Sequence, residues 1–235
     1  MYAPAPPAPP LVAAAPLTAV EIAGGTPSPG EARLIAPPAG AGIAASVSLA
    51  ARRPELNVLA GHAATIPGAL LADLPADPRS AVGLSGRVIA LQARGARGWS
   101  TIASTRAGRS GRFRVRFIPR RLGSELVRLR FAGDLSDRPT SRRLGRLNVY
   151  RLAEASWYGG GGGLACGGQL TSTTMGVANK TLPCGTEVTL RYHGRTVRVP
   201  VIDRGPYVAG REFDLTEATK QALGFGDTGQ VWSTR

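Results

Sequence analysis

The chain has 235 residues, two cysteines, and 29 Lys and Arg against 15 Asp and Glu, a net charge of +14. That length allows one large domain or two modest ones. Neither a membrane helix nor an ordinary secretion signal is read at the start: Leu11–Ala23 is weakly apolar, Pro16 and Glu21 interrupt it, and no basic segment precedes it.

Residues 1–52 are read as an Ala/Pro-rich leader or linker. The run Ala3-Pro4-Ala5-Pro6-Pro7-Ala8-Pro9-Pro10 predicts an extended polyproline-type segment. Ala41–Ala51 fits a short apolar helix or strand.

Residues 53–150 are predicted to form a basic, immunoglobulin-like β-sandwich. Residues 52–151 hold 20 arginines against six acids, whereas residues 152–235 hold eight Lys and Arg against seven acids. This change in charge supports a boundary near Tyr150. In Gly111–Phe117, Phe113, Val115 and Phe117 alternate with arginines, and Val127–Phe131 repeats the pattern. Val88–Ala93, Trp99–Thr105 and Leu147–Leu152 are shorter strand candidates, separated by Gly-rich turns. Short strands with turn signals at this spacing point to a sandwich. The string from Gly86 through Trp99 and Gly111 to Gly133 resembles immunoglobulin-like modules of secreted actinobacterial proteins. Its arginines have two readings: a solvated, edge-protecting sheet face, or a surface for a polyanion, since guanidinium groups bind carboxylate and phosphate bidentately. Nucleic acid is not the expected partner, because no nucleic-acid motif is present and aromatics for base stacking are few. His62 is isolated and reads as incidental.

Residues 151–235 are predicted to be a second small domain. Val197, Val199 and Val201 alternate with Arg198 and Pro200, then run into Asp203-Arg204-Gly205-Pro206-Tyr207. The Gly-Pro pair stops the strand and leaves Asp203 at the end of a rigid element. Its carboxylate either caps the turn or serves acid/base chemistry in a cleft. Asp214-Leu215-Thr216-Glu217 fits a capping box for a helix that Gly224 ends. Cys166 and Cys184 have no CxxC spacing and no nearby histidine, so no metal is expected. A disulfide between them closes a loop of about 17 residues and contributes roughly 3 kcal/mol. It implies an oxidising, extracytoplasmic setting; two buried thiols are the alternative. Gly159–Gly163 lacks the Lys-Ser/Thr of a phosphate loop, and no cofactor is expected. Trp157 reads as core, and Tyr207, past the turn, as a platform for a sugar ring.

Four motifs in order carry a resemblance: Ala155-Ser156-Trp157-Tyr158-Gly159, Asn179–Thr186, the Asp203 motif, and Gly210-Arg211-Glu212-Phe213-Asp214-Leu215. Together they resemble the rare-lipoprotein-A-like family, whose six-stranded double-psi β-barrel is shared with expansins and some endoglucanases. The resemblance covers about residues 153–235. It implies peptidoglycan remodelling outside the cytoplasm, by lytic-transglycosylase cleavage with Asp203 as acid/base. Asp214 falls where expansins and barrel endoglucanases carry a catalytic aspartate. Lys180 and Arg204 are candidates to hold a muramoyl carboxylate. Two positions depart from the pattern: Asn179 stands where active members carry His, and Gln169 where an acid is frequent. Asn and Gln hydrogen-bond a sugar but do not titrate. The second expectation is therefore a non-catalytic, expansin-like module that binds and loosens wall polymer.

Overall fold

A computed structural model describes residues 45–235 apart from 53, 55, 75 and 76. The polyproline-type segment and most of the expected leader lie outside the described residues. The fold is mainly β: a two-sheet sandwich, a closed six-stranded barrel and one short helix. No helix among the described residues is long and apolar enough to cross a membrane.

Nine strands come first: β1 (Val47–Ala51), β2 (Asn57–Leu59), β3 (Ala64–Leu74), β4 (Asp77–Gly83), β5 (Val88–Gly95), β6 (Gly98–Arg106), β7 (Arg112–Phe117), β8 (Gly123–Phe131) and β9 (Thr140–Tyr158). One sheet runs β1-β3-β4, with β7 also on β3; the other has the order β6-β5-β8-β9, with β2 parallel on β9. The alternation read in β7 holds: Phe113, Val115 and Phe117 are buried and Arg112, Arg114 and Arg116 are exposed. Ile66, Leu70 and Val115 from one sheet meet Ile89, Leu91 and Leu129 from the other in a single core. All six are fully buried, and full burial of each such side chain contributes about 2 kcal/mol. β1 lies inside the segment read as leader, so Val47–Ala51 is a strand rather than a helix.

The remaining elements are β10 (Gly162–Gly163), β11 (Gln169–Leu170), β12 (Val177–Ala178), β13 (Glu187–Tyr192), β14 (Arg195–Asp203), β15 (Phe213–Thr216), α1 (Glu217–Leu223) and β16 (Gly229–Ser233). The order β15-β12-β14-β13-β16-β9 closes on itself because β15 also pairs with β9. Two of the contacts, β12 with β14 and β15 with β9, are parallel. Val177, Val188, Leu190, Val199, Val201, Phe213 and Leu215 fill the barrel core, and Leu223 of α1 packs against them.

β9 belongs to both halves. Its Leu147 and Val149 enter the sandwich core and its Ala153 and Ala155 the barrel core. Between them Tyr150 is fully buried. Its hydroxyl donates to Asn57 Oδ1 at 2.8 Å, and its ring sits 5.6 Å from that of Trp232.

Candidate active site

β14 delivers Asp203 to the site through an irregularity. Val201 stands opposite Val177 of β12, but Ala178 stands opposite Asp203, so Ile202 is the extra residue of a bulge. Bulges re-aim the side chains that follow them. The Ile202 side chain fills the space beside Gly176, where an added Cβ would lie 2.3 Å from Ile202 Cδ1. Any larger residue at 176 would have to push the Ile202 side chain aside. The backbone amide of Gly176 also bonds the Thr219 hydroxyl at 3.0 Å.

On its other edge Ala178 pairs with Asp214 of β15, and Asp214 pairs with Ser156 of β9. One row across four strands therefore reads Ser156, Asp214, Ala178, Asp203. Cross-strand partners share a sheet face. Two inter-strand steps separate the Asp203 and Asp214 backbones, roughly 10 Å, and the small side chain between them belongs to Ala178. Sequence places these carboxylates 11 positions apart; the sheet order sets them on one face.

Each carboxylate is held. Asp203 Oδ1 accepts from the amides of Ala165 at 2.9 Å and Arg204 at 2.8 Å. Asp214 Oδ1 accepts from the Ser156 hydroxyl at 2.5 Å. The turn-capping alternative for Asp203 is thus present in the bond to Arg204, and it occupies one oxygen. The Cys166–Cys184 disulfide forms, with Cα atoms 5.6 Å apart. It anchors the segment that carries Ala165, and the Cys166 amide donates to Ile202 O at 3.2 Å. The bridge and the bulge together fix the donor that orients Asp203.

Tyr158 follows Ser156 by two positions in β9 and completes the group. Its hydroxyl is buried with no partner at good hydrogen-bond geometry, and the Asp203 side chain is close enough to interact with it. Burial, then the nearby Asp203, and then Asp214, push the phenol well above its ordinary value. Tyr158 is therefore a neutral donor beside two acids. Sequence reasoning missed Ser156 and, in this role, Tyr158. The available signal was their position two apart on one strand, alternating with the core residues Ala153 and Ala155.

The remaining candidates lie around this row. Asn179 is buried, and its Oδ1 accepts from the amides of Thr181 at 3.0 Å and Leu182 at 2.8 Å while its Nδ2 donates to Glu212 O at 3.0 Å. Exposed Lys180 lines a recess of about 320 Å³ with Asn179, Arg151, Arg211 and Glu212. Arg204 Nη1 donates to the carbonyls of Asn179 at 3.2 Å and Leu182 at 3.0 Å, and its Nη2 lies 3.1 Å from Cys184 Sγ. Gln169 is exposed on β11, opposite Gly163. Tyr207 follows the cis Gly205–Pro206 bond and is 83% exposed.

Two expectations are corrected. Asp214 is not the helix cap. Both its neighbours in the sheet hold it in β15, and the chain leaves the sheet only at Thr216, whose hydroxyl accepts from the Thr219 amide. Trp157 is not core. It is 37% exposed, its Nε1 donates to Asp227 at 2.9 Å, and Lys220 Nζ lies 3.7 Å from its ring centroid.

Comparison with known proteins locates this barrel. Residues 152–232 match the lytic transglycolase model of the double-psi β-barrel family. Over 80 residues the chain is 45% identical to the probable endolytic peptidoglycan transglycosylase RlpA of Aquifex aeolicus, covering 32% of this chain and 35% of that protein. It is 39% identical over 84 residues to the endolytic peptidoglycan transglycosylase RlpA of Neisseria meningitidis, covering 34% and 35%. For the Pseudomonas aeruginosa protein of that name the values are 40% over 87 residues, 34% and 26%. The chain spans about a quarter to a third of the length of these curated relatives. Among solved structures, Streptomyces papain inhibitor matches with a TM-score of 0.30 and 26% identity, over 35% of this chain and 91% of that one. The C-terminal part is a double-psi β-barrel of the lytic-transglycolase type, as its motifs indicated.

Proposed function

We propose that this protein remodels peptidoglycan outside the cytoplasm, and that the barrel cleaves glycan strands by lytic-transglycosylase chemistry. The observation that carries the reading is the row Asp203–Ala178–Asp214 with neutral Tyr158 beside it. Its relatives' names add the substrate class. In this mechanism Asp203, held through Oδ1, presents its second oxygen to the glycosidic bond. A proton passes from it to the leaving oxygen as the bond to the muramoyl anomeric carbon breaks. The muramoyl 6-hydroxyl then attacks that carbon and returns its proton to Asp203, so an anhydro ring forms and no water is consumed. One carboxylate performs both transfers. Asp214, tied to Ser156, stabilises the positive charge that develops on the sugar. Tyr158 donates to a substrate oxygen. Lys180 and the recess around Asn179 hold a carboxylate-bearing part of the strand, and Tyr207 and Gln169 contact sugar at the rim.

A second reading, a non-catalytic wall-binding and loosening module, is favoured by one observation. Asn179 replaces the family's histidine and spends both polar side-chain atoms on backbone groups, Oδ1 on the Thr181 and Leu182 amides and Nδ2 on the Glu212 carbonyl. Mass spectrometry of purified glycan strands after incubation decides between the two. Cleavage yields anhydro-muramoyl ends, and Asp203→Asn lowers their rate of formation by about 10²–10⁴-fold while the protein stays folded. Wild-type protein that binds strands and leaves no such ends establishes the second reading.

A further inference from the structure

Among the described residues, the outer face of the sheet β6-β5-β8-β9 carries arginines without acidic partners. Register places Thr101, Gln92, Arg128 and Arg143 in one row across the four strands. The next row reads Ser104, Ala90, Arg130, Ser141. Both rows contain only small, polar or basic residues. The ion pairs of the sandwich among the described residues both use Arg87, which holds Asp134 and Asp137 at 2.8 Å each. Arg128, Arg130 and Arg143 take part in none.

These arginines are also arranged. The Arg128 guanidinium lies 4.2 Å from the Trp99 ring centroid, and its Nε donates to Gln92 Oε1 at 2.9 Å. That leaves its outer nitrogens free and its plane fixed. Arg128, Arg130 and Ser141, with Phe131, Pro139 and Thr140, line a recess of about 140 Å³, room for one small oxyanion beside the two arginines. Arg143 stands one strand away, roughly 5 Å, and Arg130 two residues along, roughly 7 Å. Like charges at that spacing repel by on the order of 1 kcal/mol per pair in a water-like medium. Burial, then Arg130 and Arg143, lower the basicity of Arg128. An anion seated among the three reverses the sign of this interaction.

We infer that the Arg128–Arg130–Arg143 face is a binding site for a linear phosphodiester polymer of the polyol type. The spacing selects that chemistry. A chain with a phosphate after every short polyol presents successive charges a few ångströms apart, on the scale of the backbone spacings that set these arginines side by side. A glycan strand whose carboxylates recur once per disaccharide spaces them too widely. Nucleic acid has suitable phosphates but also bases to stack, and the aromatic ring on this face, Trp99, is covered by Arg128. The site rests on the sandwich alone and holds whether or not the barrel cleaves glycan.

The experiment is titration of the full chain with poly(glycerol phosphate) of defined length, at low and high salt. Arg128→Gln with Arg130→Gln and Arg143→Gln is expected to weaken binding about tenfold or more and to flatten its salt dependence. The control removes the same charge from the other sheet, Arg112→Gln with Arg114→Gln and Arg116→Gln, and is expected to change affinity less than threefold or so. Equal losses in the two triple variants mean that net charge alone attracts the polymer, and overturn the site. Equal or tighter binding of a single-stranded DNA with the same number of phosphates overturns the polyol assignment. Should the first triple variant not fold, Arg130→Gln with Arg143→Gln, both at exposed positions, carries the same comparison.

Discussion

In the sandwich, Arg112, Arg114 and Arg116 point to solvent along β7, and Arg128, Arg130 and Arg143 crowd one face without an acid. In the barrel, Arg204 binds two carbonyls and lies beside the disulfide, Arg151 pairs with Glu212, Arg198 with Glu187 at 3.0 Å, and Lys220 with Asp227 at 2.9 Å. The same residue type does different work in the two halves. Unpaired surface arginines add little to stability and project a field over about 8 Å at physiological salt. Arginines bound to loop carbonyls hold the backbone in place and project little. The sandwich thus concentrates long-range attraction, and the barrel concentrates local geometry around Asp203 and Asp214.

The largest expected effect tests whether the two halves are also separate in stability. Replacing both Cys166 and Cys184 by Ser should cost the barrel about 3 kcal/mol, because the bridge spans 18 positions of a small domain. The sandwich holds neither cysteine. Amide hydrogen exchange should show lost protection in β13 and β14 and unchanged protection in β5 and β8. Equal losses in both would mean that the shared strand β9 makes the halves one cooperative unit, and the comparison would fail at the level of stability.

How much was legible beforehand follows the same division. β7 and β8 show in the sequence because one face is buried and the other is charged, which is the pattern alternation detects. β3 did not show. Its Pro67-Gly68 pair reads as a breaker, yet it sits where pairing with β1 runs out at Gly68. The length of β9 was hidden because Ala153, Glu154 and Ala155 have low strand propensity, and tertiary pairing on both edges overrides it. In the barrel, Asp203 and Asp214 were legible as strand-end and motif residues. Their juxtaposition was not, because it depends on two-residue β12 lying between β14 and β15. Tyr158 was hidden for the same reason: β9 meets β15 only in the closed barrel.

A smaller effect separates the cap from the site. Thr216 is fully buried and its hydroxyl also donates to Gly176 O at 3.2 Å. Thr216→Ala should therefore destabilise the barrel by about 1–2 kcal/mol. Asp214→Asn keeps the strand, the Ser156 contact and the cap, so its melting temperature should stay near that of the wild type while glycan processing falls. A melting temperature lowered as far as in Thr216→Ala would restore Asp214 to a mainly structural role. Thermal melts of the two variants, with product analysis on the folded fraction, give the answer.

The smallest effect in stability is the most specific. The Tyr158 hydroxyl is desolvated, with Asp203 as its neighbour and no partner at good hydrogen-bond geometry, so Tyr158→Phe should change stability at neutral pH by no more than about 1 kcal/mol. The pH dependence has a definite sign. Burial, Asp203 and Asp214 hold the folded-state phenol above its ordinary value, which is about 10 in the unfolded chain. Stability from the neutral phenol is fully present below pH 10 or so and is lost as pH rises further, because the unfolded chain releases a proton that the folded one keeps. The Phe variant has no such loss, so the difference between the two proteins should widen in its favour above about pH 10. Tyr150, also raised by burial, is common to both and cancels. A Phe variant clearly less stable at neutral pH would mean that the hydroxyl is bonded in the folded protein. The hydroxyl sits beside Asp203 and Asp214, and in the proposed function it donates to an oxygen of the bound strand. Glycan binding by Tyr158→Phe should accordingly weaken even as the stability of the protein itself changes little.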